Sequence, residues 1–220
     1  MTVLRSFKSI FCLAFMHISW LGQTCVRLQT KFNEEDVITI IDPYRPAEGE
    51  FPRSLSPQIA LYSKGEEGSI TLSQNPFILS TLGECEIKEV MINTLPSIDG
   101  NIIFKILAEQ ISVVHLGRLN KKPELEDLEK LGTIDILIIP IGGGKNYLSA
   151  EDAATLVTAL EPRIVIPIAY HCDTDKNAAA VTEFFKESGL KPDKTEKKFI
   201  FRKKDLPQDE TKLMVLEKNV

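Results

Sequence analysis

His171-Cys172-x-x-Asp175 is the densest group of reactive side chains in the sequence. A thiol beside an imidazole can make a nucleophile. Adjacent residues of an extended segment point to opposite faces, however, which sets Cys172 and His171 apart. The chain holds only three histidines, His17, His115 and His171, and four cysteines, Cys12, Cys25, Cys85 and Cys172, none in C-x-x-C spacing. That pattern argues against a disulfide framework and against a cysteine zinc site, and it suits a reducing cytoplasm.

These groups need elements to hold them, and the clearest lie between 134 and 173. Residues 134–140 form a continuous apolar run of buried-strand length, closed by Gly142-Gly143-Gly144. Ser149 is a good N-cap, Glu151 and Asp152 place negative charge in the first helical turn, and Ala153, Leu156, Val157 and Leu160 share one face. Pro162 stops that helix, and residues 164–168 make a second buried strand. Strand, helix, strand is the unit of a layered α/β protein, with functional groups on the loops at the strand ends.

Elsewhere, residues 25–29 alternate as a half-buried strand and 37–41 run apolar into Asp42-Pro43. Strands are also expected at 57–62, 77–79, 87–92, 102–107 and 111–114, and at 198–202 and 212–216 near the end. Two further helices are expected: one after Pro123, with Leu125, Leu128 and Leu131 on one side and Gly132 ending it, and one over 175–188. In the second, Ala179, Val181, Phe184 and Phe185 face inward and Gly189 is the C-cap.

A chain of 220 residues with 43% hydrophobic content can bury a sizeable core as one domain or two fused halves. A net charge of −5 and a pI near 5.4 leave no basic footprint, which speaks against nucleic acid or an anionic membrane as partner. Residues 1–15 carry Arg5 and Lys8 ahead of a short apolar run but no small-x-small cleavage site. The reading takes Met16 as the functional start, residues 1–15 as a poorly ordered upstream extension, and 16–220 as one domain. The alternative is an export signal or a short anchor, although the run is too short to span a bilayer.

Three motifs carry a resemblance: Leu21-Gly22…Cys25, Ile41-Asp42-Pro43, and the stretch from Pro140 to Pro167 with its glycines, ending Ile166-Pro167-Ile168-Ala169-Tyr170. Together they resemble the metallo-β-lactamase superfamily, in the branch of zinc-dependent hydrolases related to ascorbate-6-phosphate lactonase. The resemblance implies a four-layer αββα sandwich of α/β class, with zinc as cofactor and a metal-activated water as nucleophile. The metal-bearing positions are altered. The family's His-x-His-x-Asp-His motif falls on Lys64, Glu66, Gly68 and Ser69, a later histidine falls near Ser97, the bridging aspartate on Arg118, and the last histidine on Ala169. A lysine is cationic at neutral pH, glycine offers no ligand, and a guanidinium repels a dication. Residues 69–72 alternate like a strand, so the family's helix here is expected to be replaced by a hairpin around Gly65–Gly68. His115 fits the family pattern at a position that is not a ligand, and a satisfied strand-end histidine is the preferred reading.

The reading that follows is a metal-free, non-hydrolytic member of the fold, a cytoplasmic pseudoenzyme with no catalytic residue, metal or cofactor. It would act as a binding, regulatory or scaffold protein, alone or as a homo-oligomer. Its ligand would be a small anionic molecule, held where the metals would sit by Lys64, Glu66, Arg118, His171 and Asp173, with Lys145 close by. A plainer version has these charges pairing with one another to stabilise an empty site. The competing reading is a metal-dependent hydrolase of lactonase or phosphoesterase type with a rearranged site, drawn from Glu66, His115, His171, Cys172 and Asp173.

Overall fold

Runs of β-branched and aliphatic residues make most of this chain into strands, and the computed structural model describes them over residues 15–219. The expected upstream extension therefore lies outside the described residues, apart from Phe15. Two sheets form. The first holds β1 (Met16–Gly22), β2 (Cys25–Phe32), β3 (Glu35–Ile41), β4 (Ile59–Leu61) and β5 (Phe77–Leu79), edged by β13 (Phe199–Phe201), in the order β13-β1-β2-β3-β4-β5. The second holds β6 (Glu84–Ile87), β7 (Val90–Pro96), β8 (Ile102–Ala108), β9 (Ile111–His115), β10 (Ile136–Pro140), β11 (Ile164–Ile168), β12 (Pro192–Glu196) and β14 (Lys212–Leu216), in the order β12-β14-β11-β10-β9-β8-β7-β6. β6 to β9 run antiparallel, whereas β9, β10, β11, β14 and β12 run parallel.

Period-two alternation decides which side chains meet between the sheets. Ile18, Trp20, Val26, Leu28, Val37 and Ile41 from the first sheet join Ile92, Phe104, Ile106, Val113, Ile138 and Ile166 from the second in one buried cluster. The parallel strands β10 and β11 are buried along their whole length because α2 (Ala150–Leu160) covers their other face. Ser149 caps that helix as expected, its Oγ accepting the Asp152 N–H at 3.1 Å. α3 (Val181–Ser188) packs on α2 through Phe184, and a single α-turn, α1 (Leu125–Leu128), precedes β10.

The outer face of the first sheet is covered differently. Leu21, Cys25 and Ile40 turn away from the main core and form a small second cluster with Tyr44, Phe51 and Leu55 from the loop after β3. Loop rather than helix makes this layer among the described residues. None of the helices there is long and apolar enough to cross a membrane.

Several expected elements are corrected. The strand expected at 87–92 is interrupted by a hairpin turn: Ile87 ends β6 and residues 90–92 open β7, the two joined through Lys88 and Glu89, both at positive φ. The helix expected over 175–188 begins only at Val181, because the Ala179 backbone is used elsewhere: its N–H donates to Gly142 O and its carbonyl accepts from His171 N. The hairpin and strand expected over 65–72 are absent. Those residues form a loop tied by a Ser69 N–H to Glu66 O bond and by single bridges at Ser63–Gly65 and Leu55–Leu72. β12 had no sequence signal, since Pro192–Glu196 is polar apart from its proline and exposed throughout.

Candidate functional site

The loops at the ends of β1, β4, β9 and β10 converge at one mouth of the sandwich. Their backbones are fixed by a chain of buried polar contacts that begins at Asp42. Both Asp42 carboxylate oxygens are occupied at 2.7 Å, one by the Ser63 N–H and the other by the Ser63 hydroxyl. Ser63 Oγ in turn accepts the Arg118 N–H at 3.1 Å, which Asn101 Oδ1 shares at 2.7 Å. The preceding residue, Gly117, is at φ +64, where a Cβ would lie 2.5 Å from Ser63 Cβ; only glycine lets the chain pass here. Arg118 thus has a fixed backbone while its side chain is exposed at the mouth.

His115 supports the same mouth from below. It is fully buried, and its Nδ1 accepts the Gly117 N–H at 2.9 Å. That assignment leaves the proton on Nε2, which donates to Thr24 O at 3.0 Å and so links the two sheets. Burial holds its pKa below the ordinary 6.5, keeping the imidazole neutral. His115 is a satisfied structural residue, as preferred from the sequence.

Above this scaffold lies an open cleft of about 530 Å³. Lys64, Arg118 and Lys145 line it, together with Glu67, Tyr147 and Asp175. The Lys145 loop is positioned by Asn120, whose side-chain N–H donates to Lys145 O at 3.1 Å, and by a Gly143 N–H to Leu148 O bond. Burial, with the Asp175 charge beside it, pushes the Tyr147 phenol well above its ordinary range, so it stays protonated and donates to Asp175 Oδ2 at 3.2 Å. Among the described residues, Lys64, Arg118 and Lys145 have no ion pair and no side-chain hydrogen bond.

Of the five residues expected to hold a ligand, Lys64 and Arg118 therefore share the cleft, and Lys145 stands with them. Glu66 is exposed on the same loop but is not part of the wall; its neighbour Glu67 is. His171 and Asp173 belong to a different cluster. His171 Nδ1 lies 3.1 Å from Lys176 O. Asp173 accepts from Lys218 Nζ at 2.7 Å and from the Glu50 N–H at 2.8 Å. Desolvation opposes ionisation of Asp173, but the Lys218 and backbone hydrogen bonds outweigh it and hold its pKa below the ordinary value. Cys172 Sγ lies 3.3 Å from Thr174 Oγ1, not against His171. Glu67, Asn120, Tyr147 and Asp175 were missed as cleft residues; Tyr147, three residues past the triple glycine, was the readable signal.

The donor set at the mouth does not suit zinc. The positions that the resemblance assigns to metal carry one carboxylate, Glu66, against two cations, a glycine, a serine and the buried methyl of Ala169. No group of three His, Cys, Asp or Glu side chains converges among the described residues.

Residues 17–169 match the β-lactamase superfamily domain. A UPF0173 protein of Pyrococcus furiosus is 40% identical over 58 residues, 26% of each chain. A UPF0173 protein of Pyrococcus abyssi is 38% identical over 58 residues, again 26% of each chain. These matches span about a quarter of those relatives' length. Among solved structures, a protein of Thermotoga maritima assigned as a Zn-dependent hydrolase of the metallo-β-lactamase superfamily is similar with a TM-score of 0.73 and 24% identity, over 91% of this chain and 98% of that one. Igni18, described as a metallo hydrolase of Ignicoccus hospitalis, gives 0.58 and 14% over 80% of this chain and 91% of that one. At these identities the solved structures speak to the fold.

Proposed function

We propose that this chain, which belongs to the β-lactamase superfamily, is a metal-free member that binds a small anion in the cytoplasm and does not hydrolyse through a metal-activated water. The observation that carries this is the cleft itself: Lys64, Arg118 and Lys145 line one cavity without an ion pair among the described residues. Charges that served only to stabilise an empty site would pair with Glu67 and Asp175, which stand in the same wall. Instead Asp175 receives the Tyr147 hydroxyl. Three unpaired cations in one concavity raise the local potential and favour an anion, with Arg118 able to take two of its oxygens at once. The same charges disfavour a dication.

Two measurements test the reading together. The purified, untagged protein is assayed for metal after growth with added zinc and manganese, and inorganic phosphate is titrated against its thermal midpoint at low salt. Metal near zero is expected, with a midpoint that rises with phosphate in the parent and not in Arg118→Gln. Stoichiometric metal that disappears in Glu66→Ala or His171→Ala would overturn the proposal. An Arg118→Gln variant that responds to phosphate like the parent would overturn the assigned site.

A further inference from the structure

The cleft does not end at Arg118. A second chamber of about 200 Å³ opens beside it, lined among others by Thr24, Tyr44, Arg45 and Tyr62. Gln23, Glu67 and Arg118 belong to both walls. Arg118 therefore stands on the divide, with Lys64 and Lys145 on one side and Arg45 on the other.

The smaller chamber is built to hold charge. Arg45 is anchored through its backbone, its N–H donating to Gly68 O at 2.8 Å, and its side chain has no ion pair or hydrogen bond among the described residues. Tyr44 next to it is fixed by a hydroxyl contact to Thr174 Oγ1 at 2.8 Å and by an edge-on contact with Phe51, ring centroids 4.6 Å apart. Asp42 lines the same chamber, but each of its oxygens already accepts a hydrogen bond from Ser63, and it makes no ion pair with Arg45. Each chamber thus offers a cation that the protein leaves unmatched. The volumes are unequal: the smaller takes a single phosphoryl or carboxylate group, and the larger takes a second such group with the body that joins them.

We infer that the ligand is two-headed: a small molecule with two anionic groups, one held by Lys64, Lys145 and Arg118, the other by Arg45 and Arg118. This rests on the anion-binding reading of the larger chamber and adds to it the requirement for a second charge. The test is calorimetric titration of the full chain at neutral pH and low salt, with a hexose monophosphate and the corresponding bisphosphate as probes. The bisphosphate is expected to bind about tenfold tighter, the ratio that one added charge-assisted hydrogen bond supplies. Arg45→Gln removes that advantage, its bisphosphate affinity falling to that of the monophosphate; the Arg45 side chain is exposed, so an unchanged thermal midpoint verifies folding. Equal affinities for the two probes would overturn the two-headed ligand and leave the larger chamber's anion site standing. An advantage that survives in Arg45→Gln would overturn the role of the smaller chamber. No binding of either probe would overturn this inference together with the reading beneath it.

Discussion

Replacing His115 with leucine preserves most of the buried volume and deletes two hydrogen bonds, to Gly117 N–H and to Thr24 O. Both partners are left in a region from which water is excluded, His115 itself being fully buried. An unsatisfied buried donor or acceptor costs about 1–3 kcal/mol, so the variant is expected to lose about 3 kcal/mol. Urea unfolding followed through Trp20, the single tryptophan and a fully buried one, reads this directly. With a slope of about 2–3 kcal/mol per molar urea, the midpoint falls by about 1 M or slightly more. The pH dependence supplies a second readout. Burial depresses the folded-state pKa of His115 below 6.5, so the unfolded chain binds the proton more readily than the folded one. This part of the stability is complete above pH 6.5 and is lost as pH falls through the folded value. His17 has a lowered pKa as well, through desolvation and then Lys198, but it is present in both proteins; the difference between their pH profiles isolates His115. A loss below about 0.5 kcal/mol, on the order of an ordinary surface substitution, would refute the assigned role, as would identical pH slopes in parent and variant.

Two further outcomes follow from contacts at the same end of the sandwich. Gly142→Ala places a Cβ 2.1 Å from Ala169 O, a backbone atom just past the end of the parallel strand β11, and is expected to cost about 2 kcal/mol or more by thermal or urea melting; a variant as stable as the parent would mean that the β10 and β11 ends part easily. Lys218→Ala frees Asp173 from the strongest hydrogen bond that lowers its pKa. Stability owed to that depressed pKa is present above the ordinary 3.8 and lost as pH falls through the folded value, so the variant should show a flatter acid limb than the parent in melts below pH 5; an unchanged limb would show that the Glu50 N–H suffices.

Apolar periodicity made most strands legible, and the parallel core most of all, because β10 and β11 are continuous aliphatic runs. Turns were harder. Asn33-Glu34, Lys88-Glu89 and Glu109-Gln110 each join two antiparallel strands through consecutive residues at positive φ, the geometry that Asn-Gly or Gly-Gly normally announces. At 88–89 neither residue signals a turn, so the hairpin read as one strand. The late start of α3 has another origin: an alanine-rich segment with good helix propensity was claimed by tertiary hydrogen bonds to Gly142 and His171. At the site, Lys64, Arg118 and Lys145 could be grouped only by way of the family resemblance, since 80 residues of chain lie between the first and the last. The second chamber was invisible because Arg45, two residues past the Ile41-Asp42-Pro43 motif, carries no signal of its own, and its place at the mouth depends on a backbone bond to Gly68, distant in sequence.

Ala169 shows how a position that the resemblance assigns to a metal ligand can carry another residue in the same fold. It sits at φ +59, a conformation that costs an L-residue about 1–2 kcal/mol, and a methyl group returns no hydrogen bond to offset it. The backbone there is dictated from outside: Ile168 O accepts the Ile141 N–H at 3.0 Å, and Ala169 O presses on the space where Gly142 lacks a Cβ. Asp42, at φ +49, is held the same way, but its carboxylate still has work in fixing Ser63 and, through Ser63, the backbone of Arg118. Loop geometry at this mouth therefore belongs to the sheets and to Asp42, whereas any chemistry belongs to exposed side chains that the sheets do not constrain. Arg118 shows the same separation, its backbone held by Ser63 and Asn101 and its side chain exposed, so likeness in fold to zinc hydrolases carries the shape of the mouth, and the reaction has to be read from the side chains there.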